Sequence, residues 1–263
     1  MTRAMAEAYD RSAGAWRRGP ARLYARLAGA LLDRSPIRLA GATVLDAGAG
    51  TGVAGDAARA RGAARVVAVD RAPAMLTAPA MLTPPAVVAP PALVADVTRL
   101  PFRADAFDLA VAGFVLGHLR EPERGMRELR RVSAALLASA FAEGWTHPAK
   151  RVVELVLAEH GYRPPPWYTA FKDGSERRLG DPVRLETVAR AAGYAQVGVE
   201  RVEVAIGSLT PAALVAWRFG MAHHAPFLAS LTPAVREAAR LEAERRLRDA
   251  PPVIVPMLVL GAT

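Results

Sequence analysis

Three carboxylates and a run of glycines follow apolar segments in the first half of the chain. One apolar segment leads through Asp46 into Gly48-Ala49-Gly50-Thr51-Gly52, and later segments end on Asp70 and Asp96. Closely spaced glycines let backbone N–H groups approach a ligand without interference from Cβ atoms. The N-terminus of the helix that follows the glycines supplies further free N–H groups. These residues therefore indicate a turn at which the backbone can contact a ligand.

A second pattern overlaps the first. The segment from Gly50 to Gly55 satisfies G-x-G-x-x-G, the fingerprint of dinucleotide-binding turns. Asp70 follows at a distance that would suit the ribose of a dinucleotide or of another nucleoside-containing cofactor. The glycines alone consequently leave an NAD-dependent dehydrogenase open as an alternative.

Three histidines are candidates for a general base, which is useful when the reacting group is a hydroxyl or an acidic carbon. His118 follows the fourth apolar segment, at the expected mouth of the site, and is the first candidate. His223 and His224 lie in a helical segment before the last strand. Adjacent helical residues point about 100° apart, and the histidine spacings match no ligand motif, so no metal site is predicted.

The composition excludes several chemistries. With no cysteine, the chain has no disulfide framework, thiolate metal site or cysteine nucleophile. The 34 basic and 25 acidic residues give a net charge of +9, which is typical of nucleic-acid binding. However, arginine is spread along the chain, and its densest groups stand at helical spacing beside glutamates. The excess is interpreted as the bias of a GC-rich genome, and no nucleic-acid partner is expected.

Neither a membrane segment nor a targeting segment is expected. No run approaches the roughly 18 apolar residues of a membrane span, and the first residues carry no apolar leader core. We therefore predict a cytoplasmic protein without a membrane partner. Its oligomeric state is left open, with a homodimer as one candidate.

Hydrophobic periodicity and glycine or proline breaks predict alternating strands and helices. The predicted strands are 43–46, 65–70, 93–96, 107–114, 134–141, 196–206 and 253–260. The predicted helical segments are 3–32, 53–61, 73–77, 121–132, 148–160, 182–192, 211–222 and 233–249, with a polar loop over 163–180. Seven strands interleaved with helices indicate an α/β protein with a Rossmann-like, doubly wound sheet.

The stretch from Val44 to Gly52 resembles the first motif of the class I S-adenosylmethionine (SAM) dependent methyltransferases, an apolar pair, an acid and G-x-G-x-G. Asp70, Asp96 and Phe107-Asp108-Leu109 match later motifs of that family in the same order. Four ordered matches favour this family over the dehydrogenases. The resemblance covers roughly residues 40–140 and is closest to the small-molecule, type 11 or UbiE-like branch. It implies a mostly parallel seven-stranded sheet with an antiparallel last strand, helical lid insertions, and SAM as cofactor with S-adenosylhomocysteine as product.

The resemblance also implies which residues hold the cofactor. The glycines would pass under its methionine and ribose, and Asp70 would accept from the ribose hydroxyl groups. Asp96 would accept from the adenine amino group, and Met75 would pack on the adenine ring. The full predicted cofactor set is Asp46, Gly48, Ala49, Gly50, Gly52, Asp70, Arg71, Met75, Asp96, Val97, Gly113 and Phe114.

Two features depart from the family. No Pro-Gly-Gly turn precedes the fifth strand, which is expected to shorten a surface turn. The hexapeptide Ala-Pro-Ala-Met-Leu-Thr occurs in tandem at 72–77 and 78–83, where the family has a full helix. The prolines predict one helical turn followed by extended chain, so the outer wall of the adenine site is expected to differ.

The resemblance divides the chain into a core and additions. The expected parts are an N-terminal helical cap (1–40), a SAM-binding core (41–141), a lid insertion (142–181), and the end of the core sheet (182–263) with a helical insertion over 207–250. Most aromatic residues lie outside the core, which suits a small apolar or aromatic substrate. The candidate substrate contacts are Tyr9, Trp16, Trp145 and Trp217.

The implied function is methyl transfer from SAM to such a molecule, by in-line displacement at the activated sulfonium, in natural-product metabolism. The chain lacks the Asn/Asp-Pro-Pro-aromatic motif of enzymes that methylate exocyclic amines of DNA. One alternative is a SAM-binding cyclase or rearrangement enzyme of the same fold. A dehydrogenase and a non-catalytic SAM-binding protein are weaker alternatives.

Overall fold

Seven strands form one sheet in the order β3-β2-β1-β4-β5-β7-β6, in a computed structural model that describes residues 1–76 and 91–263. The strands are β1 (Thr43–Ala47), β2 (Arg65–Asp70), β3 (Ala92–Val94), β4 (Phe107–Gly113), β5 (Ser133–Phe141), β6 (Val197–Gly207) and β7 (Val253–Ala262). The pairs among β1 to β5 are parallel, and β7 runs antiparallel between β5 and β6. The predicted doubly wound sheet with an antiparallel last strand is confirmed.

Helices cover both faces of this sheet. They are α1 (Arg3–Arg18), α2 (Pro20–Leu32), α3 (Val53–Ala60), α4 (Pro73–Leu76), α5 (Pro122–Val132), α6 (Pro148–Glu159), α7 (Pro166–Phe171), α8 (Arg177–Leu179), α9 (Pro182–Ala191), α10 (Pro211–Phe219), α11 (Ala225–Ser230) and α12 (Pro233–Arg246). Val44 and Leu45 are both fully buried but belong to opposite layers of the core, because successive side chains of a strand alternate between faces. No helix of residues 1–76 and 91–263 is long and apolar enough to cross a membrane.

The helix predicted over 3–32 is two helices that meet at Gly19. A Cβ atom on Gly19 would lie 1.9 Å from the carbonyl oxygen of Ala216. The glycine therefore lets α10 approach the break closely, and Pro20 begins α2 at a position where a missing N–H costs nothing. Sequence periodicity did not reveal this break because both helices bury small or apolar residues at helical spacing.

The prediction of a polar loop over 163–180 is wrong. These residues form α7, a π-helical segment (Lys172–Glu176) and α8. Pro166 stands in the first turn of α7, where proline favours a helix. The helix predicted over 211–222 also ends early, at Phe219, and α11 follows it.

The tandem repeat is described only at its beginning. Residues 73–76 form α4, in agreement with the single helical turn predicted there. The extended chain predicted after it lies in 77–90, outside the described residues. Asp10 of α1 accepts a hydrogen bond from the backbone N–H of Ala74 at 2.7 Å, so the N-terminal helix is attached to α4.

The arginine groups at helical spacing pair with glutamates, as their spacing indicates. Arg245 and Arg246 both contact Glu242 within α12, at 2.7 and 2.6 Å. Arg131 contacts Glu128 within α5 at 2.7 Å. Much of the positive charge on these helices is therefore balanced locally.

Candidate active site

The carboxyl ends of β1 and β4 meet where the strand order of the sheet reverses, which is the usual ligand position in open α/β sheets. After β1 the chain turns through glycines, and Gly48 and Gly50 have φ of +70° and +54°. The N–H groups of Gly48 and Ala49 donate to the Val69 carbonyl at 2.8 and 2.9 Å. A Cβ atom on Gly48 would lie 2.3 Å from a methyl carbon of Val115. Glycine is therefore required here by both conformation and space.

Asp70 at the end of β2 is fixed by the backbone around it. Its Oδ2 accepts from the Gly50 N–H at 2.8 Å, and its Oδ1 accepts from the Ala72 N–H at 2.9 Å. Burial raises the pKa of Asp70, and these backbone donors partly oppose that rise. Each carboxylate oxygen keeps a second lone pair, so Asp70 can still accept from two hydroxyl groups.

Asp46 is the most deeply buried carboxylate of the site, at 1% exposure. Its Oδ2 accepts from the Gly55 N–H at 2.7 Å, at the first turn of α3. Burial raises its pKa to about 7, and the charges of Asp70 and Asp56 add to that rise. A cation close to Asp46 would favour its ionised form.

Asp96 lies beyond β3 and closes a turn. Its Oδ1 accepts from the N–H and the hydroxyl of Thr98 at 2.9 and 2.8 Å. Its Oδ2 accepts from Arg71 at 3.0 Å. The pKa of Asp96 is lowered because the Thr98 donors and the positive charge of Arg71 outweigh burial. One carboxylate oxygen is thus used within the turn, and the other is shared with Arg71, which also donates to the Met1 carbonyl.

These groups open into one cavity of about 560 Å³, within the range of small-molecule sites. The predicted residues that line it are Tyr9, Trp16, Asp46, Gly48, Ala49, Gly50, Asp70, Arg71, Met75, Asp96, Val97, Gly113, Phe114, His118, Trp145, Trp217 and His223. Gly52 does not line it, since this residue is the N-cap of α3 and its N–H donates to Ala49 at 2.9 Å. Gly52 therefore shapes the turn and leaves ligand contact to its neighbours.

Stacked aromatic rings form part of the cavity wall. Phe114, Phe141 and Trp145 stack in sequence, with ring centroids 4.3 and 5.1 Å apart, and Trp217 continues the row at 6.1 Å. Phe114 has a φ of +58°, which is strained for a bulky residue and is typical of functional sites. Tyr24 meets the Phe114 ring edge-on at 5.6 Å. Sequence reasoning did not identify Phe141 or Tyr24.

Tyr9 and His118 form a hydrogen-bonded pair inside this cavity. The Tyr9 hydroxyl lies 2.7 Å from Nε2 of His118, and the Phe171 ring stacks on His118 at 4.5 Å. Burial lowers the pKa of His118 to about 4 and raises the pKa of Tyr9 well above its ordinary value. Near neutral pH both side chains are therefore uncharged. The sequence predicted each residue separately but not the pair.

The other two candidate histidines are held by Arg218. Nε2 of His223 accepts from the Arg218 guanidinium at 3.3 Å, and the Tyr168 ring stacks on His223 at 3.7 Å. Nδ1 of His224 donates to the Arg218 carbonyl at 2.8 Å, and His224 does not line the cavity. The geometry therefore gives His224 no access to a substrate.

One group among the described residues could ligate a metal. Nitrogen atoms of His223 and His224 and a carboxylate oxygen of Glu154 lie within 4.8 Å of one another. The predicted absence of a metal site stays a prediction. The sequence did not indicate this group because Glu154 lies on α6, far from the histidines along the chain.

The site fits the cofactor that the resemblance implies. Asp70 is positioned beside the glycine turn, the cationic end of SAM would find a carboxylate in Asp46, and Met75 lies against the turn, 3.5 Å from where a Cβ of Gly50 would stand. The hydroxyl of Thr51 is buried in this turn without a hydrogen-bond partner. It is therefore available to a polar group of a ligand. These residues are arranged as the resemblance implies for the nucleoside part of SAM.

Comparison with known proteins agrees with this class. Residues 45–135 match the profile of the family described as a methyltransferase domain. This segment therefore resembles a methyltransferase domain, in agreement with the predicted family. No curated protein sequence matches the chain.

Solved structures share the fold over most of the chain. A protein of Anabaena variabilis, described as a methyltransferase from an antibiotic biosynthesis pathway, is 14% identical with a TM-score of 0.59, over 90% of this chain and 96% of that one. A chain in the complex between the Haloferax volcanii Trm112 methyltransferase activator and a methyltransferase is 20% identical with a TM-score of 0.53, over 97% and 93%. The [4+2]-cyclase SpnF is 20% identical with a TM-score of 0.54, over 91% and 80%. At these identities the structural likeness shows the fold alone.

Proposed function

We propose that the protein is an enzyme that transfers a methyl group from SAM to a small, largely apolar or aromatic molecule. The observation that carries this proposal is one continuous cavity. It joins the glycine turn and its carboxylates to a chamber lined by aromatic rings. The aromatic chamber and the likeness to an antibiotic-pathway methyltransferase support a role in natural-product metabolism.

The three carboxylates would hold the cofactor in one orientation. Asp70 would accept from the ribose hydroxyl groups, and the Asp96 oxygen shared with Arg71 would accept from the adenine amino group. Asp46 would place negative charge near the cationic methionine end. When bound, SAM supplies a methyl group on a sulfonium that is already activated, so the protein mainly aligns and desolvates the acceptor.

Tyr9 and His118 provide a hydrogen-bonding point in the cavity. His118 is uncharged near neutral pH because burial lowers its pKa to about 4. It would take a proton from an acceptor hydroxyl or acidic carbon, with Tyr9 holding the ring in place at 2.7 Å. Tyr9 belongs to α1, so the N-terminal helix supplies one member of this pair.

Calorimetric titration with SAM tests the cofactor site. Asp70→Asn keeps the side-chain volume but replaces one accepting oxygen by a donor, so SAM affinity should fall roughly a hundredfold, as expected for lost hydrogen bonds to a charged group. Asp249→Asn is a matched control, because Asp249 is exposed at the far end of α12. Equal SAM affinity in the wild type and Asp70→Asn would refute the assignment of the site.

Incubation with SAM labelled in its methyl group tests the reaction. With a panel of small aromatic acceptors, label should move into a product, and His118→Phe should lower kcat without changing SAM affinity. The likeness to the [4+2]-cyclase keeps a SAM-assisted rearrangement as the second candidate. A product of unchanged mass, with all label left in SAM, would favour that candidate and exclude methyl transfer.

A further inference from the structure

Two cations lie in the aromatic chamber, away from the glycine turn. Arg218 on α10 is 3% exposed, and its guanidinium lies 5.2 Å from the centre of the Trp217 ring. Lys150 on α6 lies 4.4 Å from the centre of the Trp145 ring, and its Nζ donates to the Trp145 carbonyl at 3.0 Å. All four residues line the cavity. We call this group the cationic end of the chamber.

The counter-charge at the cationic end is incomplete. Among residues 1–76 and 91–263, Glu154 is the carboxylate in ion-pair range of Arg218, at 3.9 Å, and its side chain is 44% exposed. No carboxylate of the same residues is in ion-pair range of Lys150, and Nε of Arg218 is buried without a hydrogen-bond partner. A buried guanidinium requires acceptors that replace its lost hydration. An anion in the chamber would supply them.

The pKa values of neighbouring groups agree with an excess of positive charge. Burial is the main cause that lowers the pKa of Lys150 to about 8; the positive charges of Lys172 and Arg218 add to the effect, and Glu176 and Glu154 oppose it. Burial also lowers the pKa of His223 well below its ordinary value, with smaller contributions from His224 and the neighbouring cations. The cations therefore disfavour further positive charge at this end of the chamber.

The same geometry disfavours the alternative occupant, a metal ion held by Glu154, His223 and His224. Arg218 already donates to the His223 nitrogen at 3.3 Å. A metal ion there would have to displace this cation and then remain close to it. A metal ion and an anion require electrostatic potentials of opposite sign at this position, and the neighbouring cations favour the anion.

We propose that Arg218 and Lys150 bind a carboxylate of the acceptor molecule, so that the substrate is an aromatic or apolar acid. This inference rests on the proposed function, because it gives the chamber beside the cofactor site to the acceptor. Arginine matches a carboxylate with two parallel hydrogen bonds. The stacked rings of Trp145 and Trp217, 6.1 Å apart, would contact the flat body of the same molecule.

Binding of naphthoate and its neutral analogue naphthamide tests this assignment without cofactor or turnover. Calorimetry and quenching of tryptophan fluorescence both report occupancy, since Trp145 and Trp217 line the chamber. The wild type should prefer naphthoate roughly tenfold or more, as expected for charge-assisted hydrogen bonds. Arg218→Gln should lose this preference. Arg240→Gln should keep it, because Arg240 lies on α12 and pairs with Glu237 at 2.6 Å outside the chamber.

Equal affinity for the two probes in the wild type would overturn the proposal, as would a folded Arg218→Gln that keeps the preference. Because Arg218 is buried, Lys150→Met provides a second variant if Arg218→Gln does not fold. Loss of the preference in Lys150→Met would then support the proposal, and its retention would overturn it. SAM affinity measured on the same samples separates the two assignments. Normal SAM binding without naphthoate selectivity refutes the carboxylate site alone, whereas the reverse pattern refutes the cofactor site.

Discussion

Asp46 is the buried carboxylate whose ionisation should destabilise the fold strongly, and its replacement by asparagine tests that cost. The side chain is 1% exposed, and its pKa is raised to about 7 by burial and by the charges of Asp70 and Asp56. Asp46→Asn keeps the shape of the side chain. It also keeps an oxygen that can accept from the Gly55 N–H, which donates to Asp46 at 2.7 Å in the wild type. The substitution therefore removes the charge and little else.

The difference in pKa fixes the sign and the size of the effect. An aspartate in the unfolded chain releases its proton near pH 3.8, and folded Asp46 does so near pH 7. Between these values the folded state binds the proton more tightly, so stability falls as the pH rises. At about 1.36 kcal/mol per pKa unit, the full cost above pH 7 is about 4 kcal/mol. Roughly 2.5 kcal/mol of it develops between pH 5 and pH 8.

Urea unfolding of the wild type and Asp46→Asn across this pH range measures the cost. The stability advantage of the variant should grow by about 2.5 kcal/mol from pH 5 to pH 8. Asp249→Asn, which changes an exposed carboxylate, should show no such trend. A difference between wild type and Asp46→Asn that stays constant with pH would refute the reasoning, because the lost charge would then not be the titrating group.

Three other groups in the cavity give measurable expectations. Because burial lowers the pKa of His118 to about 4, NMR should show no titration of this ring between pH 5 and pH 8. The stability of the wild type relative to His118→Phe should fall by about 2.5 kcal/mol from pH 6.5 to pH 4, because the unfolded chain takes up the proton more readily than the folded one. Gly48→Ala should lower the free energy of unfolding by about 1–3 kcal/mol more than Gly41→Ala. Both glycines have positive φ, but only a Cβ on Gly48 meets Val115, at 2.3 Å, so equal losses would contradict the steric argument. Acylation of Lys150, followed by mass spectrometry, should have a midpoint near pH 8, and a midpoint above pH 10 would contradict the lowered pKa.

The sheet was predictable because local signals agree with the global fold. Apolar runs bounded by glycine or proline marked each strand, and the Asp46 and Asp70 positions followed from the ends of parallel strands. The segments outside the core sheet were less predictable. The residues from 163 to 180 contain prolines and charges that are typical of a loop, yet Pro166 begins a helix whose aromatic residues pack on the chamber. The break at Gly19 depends on contact with Ala216, which only tertiary structure brings near.

The polar groups of the chamber depend on contacts between distant parts of the chain. Tyr9 and His118 meet across 109 residues, and no spacing pattern links them. Arg218 is one arginine among many, so its burial could not be inferred from its type. Lys150 did carry a signal, since it is one of only two lysines in a chain rich in arginine. The composition showed that lysine is rare, but it did not show that Lys150 lies in the chamber.

The cavity is electrostatically polarised along its length, and this property links its two proposed occupants. Carboxylates, among them Asp46 and Asp70, lie at the glycine turn, while Lys150 and Arg218 lie in the aromatic chamber. A cationic cofactor is favoured at the first end, and an acidic acceptor is favoured at the second. SAM binding would also favour the ionised form of Asp46, because a cation near this carboxyl lowers its pKa from about 7. SAM binding near neutral pH should therefore release protons, and calorimetry in buffers of different ionisation enthalpy would detect them. Asp46→Asn should abolish the release, and its persistence in that variant would assign the protons to another group.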